Sequence, residues 1–205
     1  YYCVGCEKYL SERELVNGKC PFHPNREIEK LEMESYFFRL SAFEDKVWNF
    51  LENSDFLSGK FKKEIINRVR SQGLKDISIS RPNLKWGIEL PIDPSQKVYV
   101  WFDALINYIS VLNYSGDKKL YKKFWPADLH IIGKDITKFH AIIWPIMLMS
   151  ADIPLPKKIF AHGFLLKKGE KISKTKGNIV DPNALADAFG VDSIRYFLFI
   201  FNLLL

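Results

Sequence analysis

Three short apolar runs in the second half of the chain, each followed by a different pattern, restrict the possible folds more than any other feature. Val98 and Val100 with their aromatic neighbours form the first, and Asp103 is placed to cap a helix whose apolar face is Leu105, Ile106, Ile109 and Leu112. Leu129-His130-Ile131-Ile132 is the second; Gly133-Lys134-Asp135 then turns the chain into a helix over 137–150 that Pro145 should kink. Ile159-Phe160-Ala161 is the third, and a glycine-bearing lysine loop follows it. Short apolar strands alternating with helices predict a buried parallel sheet joined by right-handed crossovers, so the fold class is α/β. Ligands of such sheets bind outside the carboxyl ends of the strands. Three stretches fall there: 101–108, 133–140 and 162–174.

The first ninety residues follow other rules. All three cysteines lie in the first twenty residues, as Cys3-x-x-Cys6 and then Cys20, and His23 follows Cys20 at the same spacing. An odd number of thiols argues against a disulfide framework, whereas four ligands in two Cys-x-x turns predict a tetrahedral Cys3His zinc knuckle, one ion per chain. Gly5 and Gly18 serve its tight turns. Four protein ligands leave no position for water, so the zinc is expected to be structural. A redox Cys-x-x-Cys is the competing reading, but neither a strand before it nor a helix after it is visible. Phe43, Val47, Phe50 and Leu51 mark a helix over 41–52, and Phe61, Ile65 and Val69 a second that stops near Gln72-Gly73. Ile77 and Ile79 begin a strand that ends at Pro82.

The loop Lys167-Lys168-Gly169-Glu170-Lys171-Ile172-Ser173-Lys174-Thr175-Lys176-Gly177 suits a polyanion. Lysine ammoniums bring point charge to phosphate oxygens, and Ser173, Thr175 and Gly177 let backbone N–H groups come close. Charge alone would leave it a solvated surface loop, since the excess of Lys and Arg over Asp and Glu is only 30 − 24 = 6. With 205 residues, 47% of them hydrophobic, the chain can bury a real core and is not a disordered tail. No uncharged run approaches the roughly 20 residues that span a bilayer, and no signal peptide is visible, so no membrane partner and a cytoplasmic location are expected. The chain opens on Tyr1 and closes on apolar residues, and both ends read as cut.

Lys171-Ile172-Ser173-Lys174-Thr175, preceded by His162-Gly163, resembles the lysine–serine–lysine signature of class I aminoacyl-tRNA synthetases. Tyr99-Val100-Trp101-Phe102-Asp103-Ala104, Ile132-Gly133-Lys134-Asp135-Ile136, Phe139-His140 and Trp144-Pro145 match, in order, motifs of the methionine branch of that class. The resemblance implies the second half of a Rossmann-like nucleotide-binding domain over 91–205, entered from a zinc-knuckle connective insertion over 1–90. It implies a methionine pocket at Trp101, Tyr108 and His140, ATP binding at Gly133, Asp135, His162, Gly163 and Lys174, and catalysis by Lys171, Ser173 and Lys174. Mg²⁺ would arrive with ATP, and the partners would be ATP, L-methionine and tRNA(Met), joined through an adenylate. Taken singly, Trp101 and Tyr108 read as core aromatics and Asp135 as a helix N-cap; His140 stands between core and site.

Departures accompany the match. The His-x-Gly-His motif of the class is absent, as is the helical anticodon-binding domain, and Ile172 replaces a usual methionine. A fragment lacking half its ATP site, inactive alone, is therefore expected. The alternative is a non-catalytic zinc-bearing RNA-binding or assembly module, with Lys118-Lys119, Lys122-Lys123 and Lys157-Lys158 as a phosphate-facing stripe. Another nucleotidyl transferase of the same fold, acting on a small acid, is a third possibility.

Overall fold

The structure, a computed structural model, describes residues 1–203 except Val4, Cys6, Glu7, Ser11, Arg13, Glu14, residues 31–33, Ser58, Asn83 and residues 173–176; for Lys8, Tyr9, Lys171 and 201–203 it describes the backbone alone. In chain order its strands are β1 (Tyr2–Cys3), β2 (Lys8–Tyr9), β3 (Ile28–Glu29), β4 (Phe37–Phe38), β5 (Ile77–Ser78), β6 (Ser80–Pro82), β7 (Glu89–Leu90), β8 (Asp93–Val98), β9 (His130–Gly133), β10 (Ile159–His162), β11 (Leu166–Lys167) and β12 (Glu170–Lys171). The α-helices are α1 (Glu44–Asn53), α2 (Gly59–Gln72), α3 (Val100–Ser110), α4 (Lys119–Phe124), α5 (Trp144–Ser150), α6 (Pro182–Phe189) and α7 (Val191–Leu203). The chain divides into two compact units, each made of two segments: Tyr1–Tyr36 with Ser78–Val98, and Phe37–Ile77 with Tyr99–Leu205. This spatial division cuts the chain at different places from the sequence partition at residue 90.

The smaller unit holds two antiparallel sheets, in the orders β2-β1-β3 and β6-β8-β7. Its first sheet is too small to form a wide core. Cys3 and Cys20 are fully buried beside Leu10, with Leu15 and Ile28 packed against them. In the second sheet Ser80 and Gln96 are both buried, and the serine hydroxyl donates to the glutamine carbonyl at 2.5 Å, so neither side chain is left unpaired. Here the sequence reading needs correction. The run at 98–100 was expected to open the parallel sheet; instead β8 pairs antiparallel with β6, Ser80 opposite Val98, and ends there. The helix begins at Val100, not behind Asp103: Tyr99 is its N-cap residue, the Tyr99 carbonyl accepts from the N–H groups of Phe102 and Asp103, and Asp103 lies in the first turn. A short apolar run at a strand–helix junction fits either element, and only pairing decides.

The larger unit carries the main core. Leu51, Phe56, Leu105, Ile142, Trp144, Ile146 and Ile159 are all but fully buried. Helix α1 contributes Val47 and Leu51, and α2 contributes Ile65 and Val69, four residues apart on one face. The parallel sheet is present, as β9 beside β10 in the register His130↔Ile159 through Gly133↔His162. Among the described residues it has these two strands, not three. β9 was also expected to be buried throughout, but it alternates: Ile132 points into the core while Ile131 is 67% exposed.

A second correction concerns 137–150. The chain is helical from Lys134 to Ser150 but changes pitch, from a 3₁₀ turn at Lys134–Ile136 to a π segment at Phe139–Ile143 and then α5. The Trp144 N–H reaches the Phe139 carbonyl five residues back. Pro145 has no N–H, and in continuous α register its ring would press on the carbonyl four residues earlier. The widened turn just ahead of it leaves the proline in the first turn of α5, where a missing donor costs little.

Candidate functional site

Helix α3 and the π segment bring the expected pocket residues together. Trp101 and Tyr108, seven apart on one helix, face the same neighbour. The Trp101 indole stacks on Phe139, ring centroids 4.0 Å apart and planes within 13°. The Tyr108 hydroxyl lies 2.8 Å from His140 Nε2. His140 Nδ1 lies 3.1 Å from the Ile136 carbonyl, which can only accept, so the imidazole proton sits on Nδ1 and Nε2 accepts from tyrosine. Burial lowers the His140 pKa, partly opposed by that carbonyl, and burial raises the Tyr108 pKa. The pair is therefore neutral near pH 7. The π turn carries both Phe139 and His140, so the widened backbone and the two aromatic contacts coincide.

Behind Tyr108 stands a residue to which the sequence reading gave no role. His130 opens β9, is 5% exposed, and sets its ring 4.2 Å from that of Tyr108. Desolvation, and then the neighbouring His140, push its pKa down to about 4. Trp144 and Trp125 complete the cluster, Trp144 being 5.9 Å from the Tyr108 ring and 6.0 Å from Trp125. The Trp125 indole N–H donates to the Pro154 carbonyl at 2.8 Å, but His130 Nε2 and Trp144 Nε1 are buried without partners. A histidine inside an apolar run gave no local signal; its ring neighbours Tyr108, Trp125 and His140 come from α3, the segment after α4 and the π segment.

At the carboxyl ends of the two parallel strands the register sets Gly133 beside His162. A Cβ on Gly133 would lie 2.7 Å from Asp135 Oδ1 and 4.0 Å from His162 Cε1, so this glycine is the gap through which backbone, carboxylate and imidazole come together. His162 Nδ1 donates to the Gly163 carbonyl at 2.8 Å, which orients the ring. Lys134 Nζ lies 4.5 Å from the Phe164 ring centroid. Beyond, β11 and β12 form a hairpin through Lys168 and Gly169, both with positive φ as a two-residue I′ turn requires. The Lys171 backbone lies in β12, opposite Leu166. Ser173 and Lys174 lie outside the described residues, so two of the three expected catalytic residues have no place in this geometry.

In the smaller unit Cys3, Cys20 and His23 bring one ligand atom each to within 4.8 Å of one another, and Cys3 Sγ is 3.8 Å from His23 Nδ1. Ligand–ligand edges in a tetrahedral zinc site are ~3.5–3.8 Å; the Cys3–His23 pair has that separation, and the three side chains together could hold a metal ion. Cys6, expected as the fourth ligand, lies outside the described residues. A Cβ on Gly5 would stand 2.7 Å from the His23 ring, so the backbone of the first turn serves as the floor under the histidine.

The lysines of the expected stripe are partly engaged. Lys157 pairs with Asp128 at 2.6 Å, Lys118 lies over the Tyr114 ring, and Lys123 over Phe124. A separate cleft of about 140 Å³, lined by Arg68, Asp76, Lys138 and Ile142 among others, contains none of the candidate residues. Among the described residues no helix is long and apolar enough to cross a membrane.

The profile of the family described as tRNA synthetases class I (M) matches residues 1–203. The chain belongs to this family. It is 50% identical over 202 residues to a methionine–tRNA ligase of Caldanaerobacter subterraneus subsp. tengcongensis, covering 97% of this chain and 31% of the relative. A methionine–tRNA ligase of Thermotoga maritima is 46% identical over 202 residues, with 97% and 32% covered. The Mycobacterium tuberculosis methionyl-tRNA synthetase in complex with methionyl-adenylate superposes with a TM-score of 0.82 at 48% identity, over 96% of this chain and 40% of that one. Its apo form superposes at 0.79 with 44% identity. The chain thus has the α/β fold of this class I catalytic domain and spans about a third of the length of the curated relatives it matches.

Proposed function

We propose that this chain is the second half of the catalytic domain, with its connective insertion, of an enzyme that ligates L-methionine to tRNA(Met). The observation that carries this reading is the meeting of Trp101, Phe139, Tyr108 and His140 beside α3, in a unit whose parallel strands end at Gly133 and His162. A neutral aromatic pocket with a fixed tyrosine suits an apolar, polarizable thioether. Gly133 admits a nucleotide close to the backbone, and Asp135 is chemically suited to accept the ribose hydroxyls. We assign the phosphates to His162, at the end of β10, and Gly163 just beyond it.

Two steps follow. The methionine carboxylate attacks the α-phosphorus of ATP and expels pyrophosphate; the terminal hydroxyl of tRNA(Met) then attacks the anhydride carbonyl and releases AMP. Neither step needs a covalent intermediate on the protein. Both need alignment, and the first needs positive charge where the leaving pyrophosphate gathers electrons. We assign that charge to Lys171 and Lys174, with Ser173 beside them; Mg²⁺ carried in with ATP would add Lewis-acid charge. Cys3, Cys6, Cys20 and His23 would hold one structural zinc. The missing first half of the nucleotide fold and the anticodon-binding domain would come from the rest of the polypeptide, acting in the cytoplasm.

The test is methionine-dependent pyrophosphate exchange by the complete polypeptide. Lys174→Ala should slow exchange by about 10²–10³-fold while methionine binding changes little. Equal loss of both would remove the assigned role, and exchange driven by another amino acid would remove the substrate.

A further inference from the structure

His130 demands an explanation. A leucine would fill the first position of β9 without a polar atom to bury, yet the chain places a planar ring there and buries its Nε2 without a partner. Among the described residues only one other buried side-chain atom is in that condition, Trp144 Nε1, and both rings pack on the same tyrosine. Polar groups kept inside without partners collect where geometry serves something other than stability.

The frame around His130 is rigid. Its backbone N–H donates to the Lys158 carbonyl at 2.8 Å, and its residue pairs with Ile159 in the parallel ladder. Its ring meets the Tyr108 ring at 4.2 Å, tilted by 42°, and stands 6.2 Å from the His140 ring. Tyr108 is thus held at its hydroxyl by His140 on the π segment, and on its ring by Trp144 at 5.9 Å and, more closely, by His130 on the sheet at 4.2 Å. One hydrogen bond leaves a phenol ring free to swing about its C–O axis; contacts on the ring, of which His130 is the nearest, remove that freedom.

We propose that His130 is a positioning residue for the substrate side-chain pocket, holding the Tyr108 ring against the frame of the parallel sheet so that the pocket wall stands ready before an uncharged, apolar side chain enters. This rests on the methionine reading above. It assigns His130 no contact with substrate: its effect passes through Tyr108.

The complete polypeptide tests this by steady-state pyrophosphate exchange with the methionine and ATP concentrations varied separately. His130→Ala removes the ring and should raise KM for methionine by about tenfold, with kcat and the KM for ATP within about threefold of wild type. His130→Phe keeps a ring and should restore methionine KM to within about threefold; His130→Gln keeps polarity without a ring and should not. Unchanged methionine KM in His130→Ala, a parallel rise of both KM values, or rescue by Gln but not by Phe would each overturn the proposal. Should the Ala variant fail to fold, the Phe and Gln pair decides alone. Wild-type polypeptide without methionine-dependent exchange would instead defeat the substrate reading, whatever the variants do.

Discussion

Tyr108 and the two histidines on either side of it carry the most chemistry per residue. Tyr108→Phe would leave His140 Nε2 buried without its donor, a loss of about 1–3 kcal/mol. Its denaturant midpoint should fall accordingly, with methionine KM rising while the KM for ATP holds. Acid should act on the same cluster. The folded pKa of His130, about 4, lies below its unfolded value near 6.5, so between these values the unfolded chain binds more protons and stability rises with pH. The contribution is complete above about pH 6.5 and is lost as the pH falls towards 4, roughly 3 kcal/mol over that window. Urea titrations at pH 7.5 and 4.5 should show this loss in the wild type and a smaller one in His130→Phe. At the other end of β9, Gly133→Ala would thrust a methyl to 2.7 Å from Asp135 Oδ1 and displace the carboxylate. KM for ATP should rise there, with methionine binding retained.

Among the elements, turns were the most legible. Asn17-Gly18 has positive φ at both positions, and Val16 and Lys19 exchange backbone hydrogen bonds across it, which brings Cys20 round towards Cys3 and His23. Gly18→Ala meets no atom within 4 Å, so its cost is conformational, about 1 kcal/mol, and zinc affinity measured by chelator competition should weaken roughly fivefold. Gly5→Ala, which collides with the His23 ring, should weaken it further. The helices 44–53 and 59–72 could be read from apolar spacing because each has one buried face, and the strands 130–133 and 159–162 from short apolar runs, though not the alternation of the first. The boundary at Tyr99 could not, since Val98 and Val100 satisfy either period. Nor could the π segment: a sequence announces Pro145, but whether the backbone bends or widens depends on core residues such as Ile142 and Ile146 around it. That Cys3, Cys20 and His23 come together followed from spacing, and the neighbourhood of Trp101, Tyr108 and His140 from motif resemblance. His130 escaped both, because a stacking partner 22 residues away in sequence leaves no periodic trace.

The whole molecule is best understood as two cores of different kinds. The larger is apolar and rich in Leu, Ile and Trp; in the smaller, among the described residues, the apolar buried side chains are Cys3, Cys20, Leu10 and Leu90, too few to hold a fold by hydrophobic burial alone. Chelation should therefore release one zinc and loosen the smaller unit while the larger keeps its cooperative melt, as hydrogen exchange in the two segments would report. Loss of protection in both together would contradict a separable metal-dependent unit. The smaller unit is also interrupted: Tyr1–Tyr36 must wait for Ser78–Val98 before its second sheet exists. During synthesis some forty residues belonging to the other unit emerge in that gap. Residues 1–36 carry their own sheet together with Cys3, Cys20 and His23, so an early-arriving metal ion could close that part of the unit while the rest of it still waits for residues 78–98.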